Sequence, residues 1–372
     1  MENKVWERSE MKILHINAGN EYGGGLFHIL SLFQGIDKID MELLVFEEGP
    51  VAESARKNGI SVTVLPQRSR YDLSILLKLR KWINKNQFDI VHSHGPRANL
   101  LVGLIHSSMK AKWITTIHSD PTLDFEGRGL KGKAFEWLNL KSLTRPDHLI
   151  AVSSELKRTL VQRHVNEQHI TVVHNGRAFK QSTSQKKISN KETPFKMITV
   201  GRLEWVKGHR YLIEALKSVR FNNWELNICG IGEQEAALRE SVEKSGLAEN
   251  VHFLGWIEAK AVGDQIVESD ILINPSLSES FPLVALEAGE KKKPVIATDV
   301  GDVKEMIPDE TIGWLILPKD PASLAQAIEE AYLEWEQGIL EIKGTRFYEW
   351  SKQFTIEKQG IETMKVYRNC LR

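Results

Sequence analysis

Short apolar runs recur through the first half of the chain: Met11 to Asn17, Met41 to Phe46, Ser61 to Leu65, Asp89 to His92, Trp113 to His118 and His148 to Val152. Each ends near Gly, Pro, Ser or His, and most are separated by stretches with helical spacing, such as Leu26 to Gln34 and Ala98 to Ser107. That alternation predicts a parallel sheet covered on both faces, with functional groups gathered at the carboxyl ends of its strands. Lys180 to Pro194, rich in Ser, Lys, Gln and Thr, interrupts the pattern and reads as a linker. Strand-like runs then resume at Lys196 to Val200, Glu225 to Cys229, Val251 to Leu254, Ile271 to Asn274, Pro294 to Ala297 and Gly313 to Leu317. Leu324 to Trp335 and Phe354 to Leu371 read as helices, the last long enough to cross back to the first domain. No solenoid repeat is visible. A length of 372 residues suits two cores better than one. The expected fold is α/β, with two doubly wound, Rossmann-like domains: 1–180, completed by the terminal helix 354–372, then a linker 181–194 and a second domain 195–353.

Charge adds a contrast between the halves. Lys plus Arg and Asp plus Glu each number 49, so no bulk attraction for nucleic acid exists and no nucleic-acid partner is expected. Arg56 to Arg163 nevertheless carries 19 basic and 8 acidic side chains, whereas Phe195 to the end carries 21 and 29. Within the basic part, Tyr71 to Lys85 has Leu73, Leu76, Leu79 and Ile83 on one helical stripe and Lys78, Lys81 and Lys85 on another. This is either a solvated helix face or a surface for peripheral contact with an anionic membrane. Charge-free stretches such as Asn99 to Met109 are too short to span a bilayer. The first ten residues carry acids and lack the apolar core of a secretion signal, and Cys229 and Cys370 cannot build a disulfide framework. A cytoplasmic protein is expected, with the inner face of the membrane as its other candidate location.

Three segments carry candidate chemistry. Gly23-Gly24-Gly25 follows the first strand and opens a helix, where backbone can approach an anion, or where a flexible turn is all that is needed. Its spacing is not the Gly-x-Gly-x-x-Gly of a dinucleotide fold, which disfavours a nicotinamide cofactor. Gly201-Arg202-Leu203-Glu204-Trp205-Val206-Lys207-Gly208 follows the first strand of the second domain. There a guanidinium and an ammonium can meet one diphosphate, or be merely solvated. Glu279-Ser280-Phe281-Pro282-Leu283-Val284-Ala285-Leu286-Glu287 sets one carboxylate at a helix mouth and another about two turns along, with Pro282 in the first turn. Those carboxylates can accept hydrogen bonds from sugar hydroxyls, or serve only the helix dipole and solvent. His92-Ser93-His94 has no carboxylate or cysteine nearby to complete a metal set, so no metal is expected. Gly-x-Ser-x-Gly is absent, which leaves acyl-transfer hydrolysis without support.

Taken in order, Gly201-Arg202-Leu203 to Lys207-Gly208, Ile228-Cys229-Gly230-Ile231-Gly232-Glu233, Val251-His252-Phe253-Leu254-Gly255, Glu279 to Glu287 and Pro294-Val295-Ile296-Ala297-Thr298 resemble retaining glycosyltransferase family 4 with the GT-B fold. The likeness runs from Met11 nearly to the end and leaves Met1 to Glu10 as an extension. It implies an interdomain cleft with the donor on the second domain and the acceptor on the first. Carried over position by position, it implies a catalytic set of His118, Arg202, Lys207 and Glu279. Arg202 and Lys207 hold the donor diphosphate, Glu279 a hydroxyl of the transferred sugar, and His118 lies beside that sugar. Gly24, Gly25, Gly232, Trp256, Ser280, Phe281, Pro282, Leu283 and Glu287 complete the donor site, with Glu287 on the ribose and backbone near Gly232 and Trp256 on the base. His94 and Asn175 fall on the acceptor side. Ser280 and Pro282 stand where many members have Gly, and Ser119 separates His118 from Asp120, where the family often pairs His directly with Asp.

The expected reaction moves a sugar from a nucleotide diphosphate sugar, a UDP-sugar first and a GDP-sugar as the alternative, to a glycan, lipid-linked or small-molecule acceptor, with retention and without cofactor or metal. Glu279 and Glu287 on one helix cannot easily flank an anomeric carbon as a glycosidase pair does, so they read as binding groups. Two rivals share the architecture: a nucleotide-sugar epimerase, which needs no acceptor, and a non-catalytic nucleotide-sugar or glycan-binding module.

Overall fold

A computed structural model describes residues 11–21, 23–36, 39–67, 69, 72–122, 129–179 and 193–372. The extension at 1–10 and all but the last two residues of the expected linker lie outside these residues. The chain divides into two compact units, Met1–Gly176 with Ile356–Arg372, and Arg177–Thr355.

The first unit runs β1 (Lys12–Asn17), α1 (Gly24–Gly35), β2 (Asp40–Val45), α2 (Pro50–Lys57), β3 (Val62–Val64), α3 (Ser74–Asn86), β4 (Ile90–His94), α4 (Pro96–Ile105), β5 (Lys112–Ile117), α5 (Gly129–Ser142), β6 (His148–Ala151), α6 (Ser154–Gln162) and β7 (Ile170–Val172). Its seven strands are all parallel, in the order β3-β2-β1-β4-β5-β6-β7. The seventh, β7, was not among the expected strands. Alternating side chains divide the sheet between two cores. Leu14, Ile16 and Val91 face α3 and α4, where Leu79, Ile83 and Val102 are buried.

The second unit runs β8 (Phe195–Val200), α7 (His209–Leu216), β9 (Trp224–Cys229), α8 (Glu235–Lys244), β10 (Val251–Gly255), α9 (Ala259–Glu268), β11 (Ile271–Asn274), α10 (Leu283–Glu290), β12 (Val295–Thr298), α11 (Val303–Met306), β13 (Trp314–Ile316), α12 (Pro321–Glu336) and α13 (Leu340–Ser351). The six strands are parallel in the order β10-β9-β8-β11-β12-β13. Asp320 caps α12 by accepting the N–H groups of Ala322 and Ser323, with Pro321 in the first turn.

The final helix, α14 (Ile356–Leu371), packs on α1 in the first unit. Glycines on both helices permit this approach: a Cβ at Gly35 would strike the Ile356 carbonyl, and one at Gly360 the Gly35 carbonyl. With α1, α14 covers the other face of the sheet, where Ile13, Ile90, Ile114 and Tyr367 share a core. The units divide at 176/177 and 355/356 rather than at 180 and 353. Residues 177, 354 and 355 stay with the second unit because Arg177 N–H donates to the Phe354 carbonyl, Arg177 bridges Thr355, and the Phe354 ring meets Phe281 edge-on.

The cationic helix differs from expectation in one respect. The buried stripe of α3 is Ile75, Leu79 and Ile83, with Leu76 half-buried. Leu73 precedes the first turn and is 62% exposed, as Leu77 is at 72%. Tyr71 lies outside the described residues.

Candidate functional site

In each sheet the strand order reverses once, between β1 and β4 in the first and between β8 and β11 in the second. Loops leaving the carboxyl ends of strands flanking such a reversal diverge and leave a crevice. Every expected site residue but Asn175, Trp256 and Glu287, which lies in the second turn of α10, is on these strand ends, on the loops and helix starts that follow them, or on the ends of neighbouring β5 and β9.

In the first unit that position is filled by imidazoles. His92 and His94 share one face of β4 because they are two residues apart, and the β1–β4 register sets His15 beside His92. The α1 helix lays His28 over the same face, and His118 follows β5. His94 joins its neighbours through both nitrogens, with His15 Nδ1 3.0 Å from Nε2 and His118 Nε2 3.3 Å from Nδ1. His92 is held at Nδ1 by the Tyr367 hydroxyl, 2.6 Å, and at Nε2 by Thr116 Oγ1, 2.7 Å. His28 Nδ1 meets Asn175 Oδ1 at 2.8 Å and Gln359 Nε2 at 3.0 Å. Burial pushes His15 down to about 3, with the charge of His28 second, and His28 down to about 4, partly offset by Asn175. It also holds His92, His94 and His118 well below the usual imidazole value. All five are therefore neutral at neutral pH. Beside them Asn17 Nδ2 donates to Glu21 Oε2 at 2.9 Å and to the His94 carbonyl at 3.3 Å. A Cβ added at Gly24 would meet nothing within 4 Å, so the start of α1 is open at that point.

The second unit places ion pairs at the equivalent position. Lys207 Nζ lies 2.6 Å from Glu279 Oε1, which also accepts from Ser276 Oγ at 2.8 Å. The turn that delivers Lys207 ends at Gly208 with φ of 67°, where a Cβ would collide with the Pro275 carbonyl. Glycine is needed there on both counts. Arg202 is mostly exposed and bonds Glu204 at 2.7 Å rather than sharing a partner with Lys207. Glu287 Oε1 accepts from Arg177 Nη1 at 2.9 Å, and Arg177 Nε reaches Glu290 Oε2 at 2.8 Å. Burial raises the Glu287 carboxyl above its usual value, with Arg177 opposing. Gly232 packs against Leu203, whose N–H donates to the Ile231 carbonyl. Ile231 and Trp256 are exposed at the ends of β9 and β10.

At three of the expected residues the structure adds detail that the sequence did not show. The Phe281 side chain is buried against Phe354, so only its backbone is presentable. Pro282 is extended and precedes the helix instead of occupying its first turn, which begins at Leu283. Asn175 turns inward to His28. Sequence reasoning missed His15, His28, Arg177 and Glu290. Their positions inside strand, helix and hinge patterns gave no sign, although the two-residue spacing of His92 and His94 already placed both on one strand face. The expectation of no metal rested on a lone His-x-His pair. Other elements supply third members, and the nitrogens of His15, His92 and His94, and of His28, His94 and His118, lie within 4.8 Å of one another.

Two family models match in sequence: "Glycosyltransferase Family 4" over residues 22–178 and "Glycosyl transferases group 1" over 180–338. An uncharacterized glycosyltransferase, MJ1607, of Methanocaldococcus jannaschii is 26% identical over 93% of this chain and 94% of its own. The Escherichia coli UDP-Gal:alpha-D-GlcNAc-diphosphoundecaprenol alpha-1,3-galactosyltransferase is 25% identical over 86% of this chain and 87% of its own. Among solved structures, Anabaena Alr3699/HepE in complex with UDP-glucose superposes with a TM-score of 0.81 at 21% identity, covering 95% of this chain and 99% of that one.

Proposed function

We propose that the chain is a family-4-like glycosyltransferase of GT-B fold that moves a sugar from a UDP-sugar to a glycan or lipid-linked acceptor with retention at the anomeric carbon, a reading supported by the two family models and by the fold. The observation that carries this reading is the Lys207–Glu279 pair at the β8–β11 reversal, with Arg202 on the same loop. Departure of a diphosphate builds negative charge on the leaving group and an oxocarbenium-like centre on the sugar. Lys207 and Arg202 stabilise that charge without a metal at the diphosphate, and Glu279 takes a sugar hydroxyl. Ser280 and Leu283 offer backbone N–H groups at the start of α10, where helical donors lack intrahelical partners. Glu287 binds the ribose, while Gly232 and Trp256 frame the base. In the first unit His118 meets the transferred sugar, Gly24 and Gly25 face the phosphates, and His94 and Asn175 lie on the acceptor side, Asn175 bonded to His28. The leaving phosphate accepts the proton of the incoming hydroxyl. UDP is preferred to GDP because HepE, which shares the fold, is solved with UDP-glucose. A lipid-linked acceptor follows the printed substrate of the Escherichia coli relative.

The double variant Arg202→Ala, Lys207→Ala tests the assignment, since a UDP-sugar affinity equal to wild type discards it. A thermal-shift panel of nucleoside diphosphates and their sugars identifies the base, because a ligand that binds only the native state raises apparent stability. Product analysis separates transfer from epimerisation, which releases a free altered sugar, and from a binding module, which releases nothing. A peripheral site at the inner face of a membrane is supported by α3, where exposed Leu73 and Leu77 accompany Lys78, Lys81 and Lys85. Among the described residues no helix is long and apolar enough to cross a bilayer.

A further inference from the structure

Among the described residues His28 Nε2 is buried without a hydrogen-bond partner, in the middle of the histidine cluster. Its other nitrogen faces Asn175 Oδ1 at 2.8 Å, an oxygen that only accepts; this contact, shorter than that to Gln359, puts the proton on Nδ1 and the lone pair on Nε2. An imidazole whose N–H is held by an outer carbonyl is the usual setting of a metal ligand. His94 is prepared in the same way, since its Nε2–H can donate to His15 Nδ1 at 3.0 Å and leave Nδ1 as the inner lone pair. That inner atom accepts from His118 Nε2 at 3.3 Å, so on metal binding the His118 proton moves to its Nδ1 and frees Nε2 as a lone pair. Two nitrogens bound to one zinc at about 2.0 to 2.1 Å in tetrahedral geometry are about 3.3 Å apart, so these two already have the spacing of ligands.

We propose that His28 Nε2, His94 Nδ1 and His118 Nε2 form a binding site for a divalent transition metal of the zinc class. Three imidazoles with a fourth position left for water or substrate suit that class. His118, the one half-exposed member, supplies the open side. Glu21 stands near enough to offset the charge, since a Cβ at Gly25 would lie 2.9 Å from Glu21 Oε2 and 3.9 Å from His118 Cδ2. The alternative triad of His15, His92 and His94 is the poorer site, because His92 would have to give up Tyr367 or Thr116, which are not ligands, whereas His94 in the proposed triad gives up only its contact with His118, itself a ligand. The ligand set does not depend on the transferase reading, and all of its members belong to the first unit.

The full chain, stripped with a chelator and titrated with Zn²⁺ against a chromophoric competitor, is expected to take up one equivalent. Co²⁺ in its place is expected to give the strong visible absorption of a four-coordinate ion. His118→Gln, at the half-exposed position, and His28→Asn should each weaken zinc by more than about tenfold, and Asn175→Ala by roughly tenfold to a hundredfold. Tyr367→Phe touches only the alternative triad and should leave affinity unchanged. Failure of the wild-type chain to retain zinc overturns the proposal, as does a site indifferent to His118→Gln or one that shifts with Tyr367→Phe.

Discussion

At the reversal of the first sheet five neutral imidazoles are packed together, whereas at the reversal of the second the half-buried side chains are ion pairs. The strand pattern and the position are the same; the chemistry is not. Neutral donors and acceptors suit hydroxyl groups, whose charge does not change through a transfer, while fixed cations suit a phosphate that gains charge as it leaves. The proposed division of labour follows: the first unit orients sugar and acceptor, and the second stabilises the leaving group. The two halves should accordingly fail differently when their polar networks are cut.

The largest effect is expected at Arg177, which holds two carboxylates, Glu287 and the 8%-exposed Glu290. Arg177→Met leaves both without that partner, with Lys291 Nζ at 3.2 Å as the cation still beside Glu290. Breaking such a pair from one side costs about 3 to 5 kcal/mol, read as a lower denaturant midpoint for the second unit. Arg177→Lys should recover part of the loss, since an ammonium reaches one carboxylate where the guanidinium fork reaches two. The deficit should shrink as pH falls, because protonation neutralises Glu287, whose carboxyl already sits above its ordinary value. A deficit independent of pH would mean that packing, not charge, is what Arg177 supplies.

Next in size is Lys207→Ala. One charge-assisted bond to phosphate is worth roughly 1.5 to 3 kcal/mol, so kcat/KM should fall roughly tenfold to a few hundredfold. Glu279 also loses its cation, which should depress donor affinity further. His118→Gln should instead lower turnover with donor affinity nearly intact. Equal losses in both parameters for both variants would erase the contrast between the units.

How far the sequence carried this picture depends on how local each feature is. Parallel strands buried on both faces are near-continuous apolar runs, so those of the second unit and six of seven in the first were legible. β7 escaped because Ile170–Val172 is three residues long and shows no periodicity. α13 escaped because Leu340–Ser351 mixes Lys343, Gly344 and Arg346 with its apolar positions. Leu73 was misplaced because helical spacing alone does not say where the first turn starts. The candidate residues on turns, such as Lys207 before Gly208, stood out in the sequence because glycine marks a backbone constraint within a few residues. The histidine cluster was not, since it joins positions 15, 28, 92, 94 and 118, and only the β1–β4–β5 adjacency makes them neighbours. Arg177 likewise finds its partners 110 and 113 positions away.

Acid should separate the units at smaller cost. Buried neutral, His15 and His28 titrate near 3 and 4 in the folded chain against about 6.5 when unfolded, so below 6.5 the unfolded state binds protons that the folded state refuses. Their contribution is complete above pH 6.5 and declines as pH falls toward 4. At pH 5.5 each should remove on the order of 1 kcal/mol. The second unit has a comparable group in His209, held down to about 4 by burial and then by the charge of Lys207. Denaturation of the chelator-treated chain at pH 7.5 and 5.5, followed through hydrogen exchange in each unit, should show the first losing more. Equal losses would mean that the imidazoles find water in the folded state.

The smallest effect concerns the outer surface, where the basic stretch Arg56 to Arg163 contrasts with the acidic second half. If α3 docks on an anionic bilayer, each lysine near the surface contributes about 1 kcal/mol, and replacing Lys78, Lys81 or Lys85 singly should weaken vesicle binding about fivefold. Leu77→Ser should weaken binding to neutral and anionic vesicles alike, because what it removes is apolar insertion. The lysine changes should act only where anionic lipid is present and should fade at high salt. Co-sedimentation unaffected by the anionic fraction would leave the basic surface as a solvated face, and the electrical difference between the units would then concern their interiors alone.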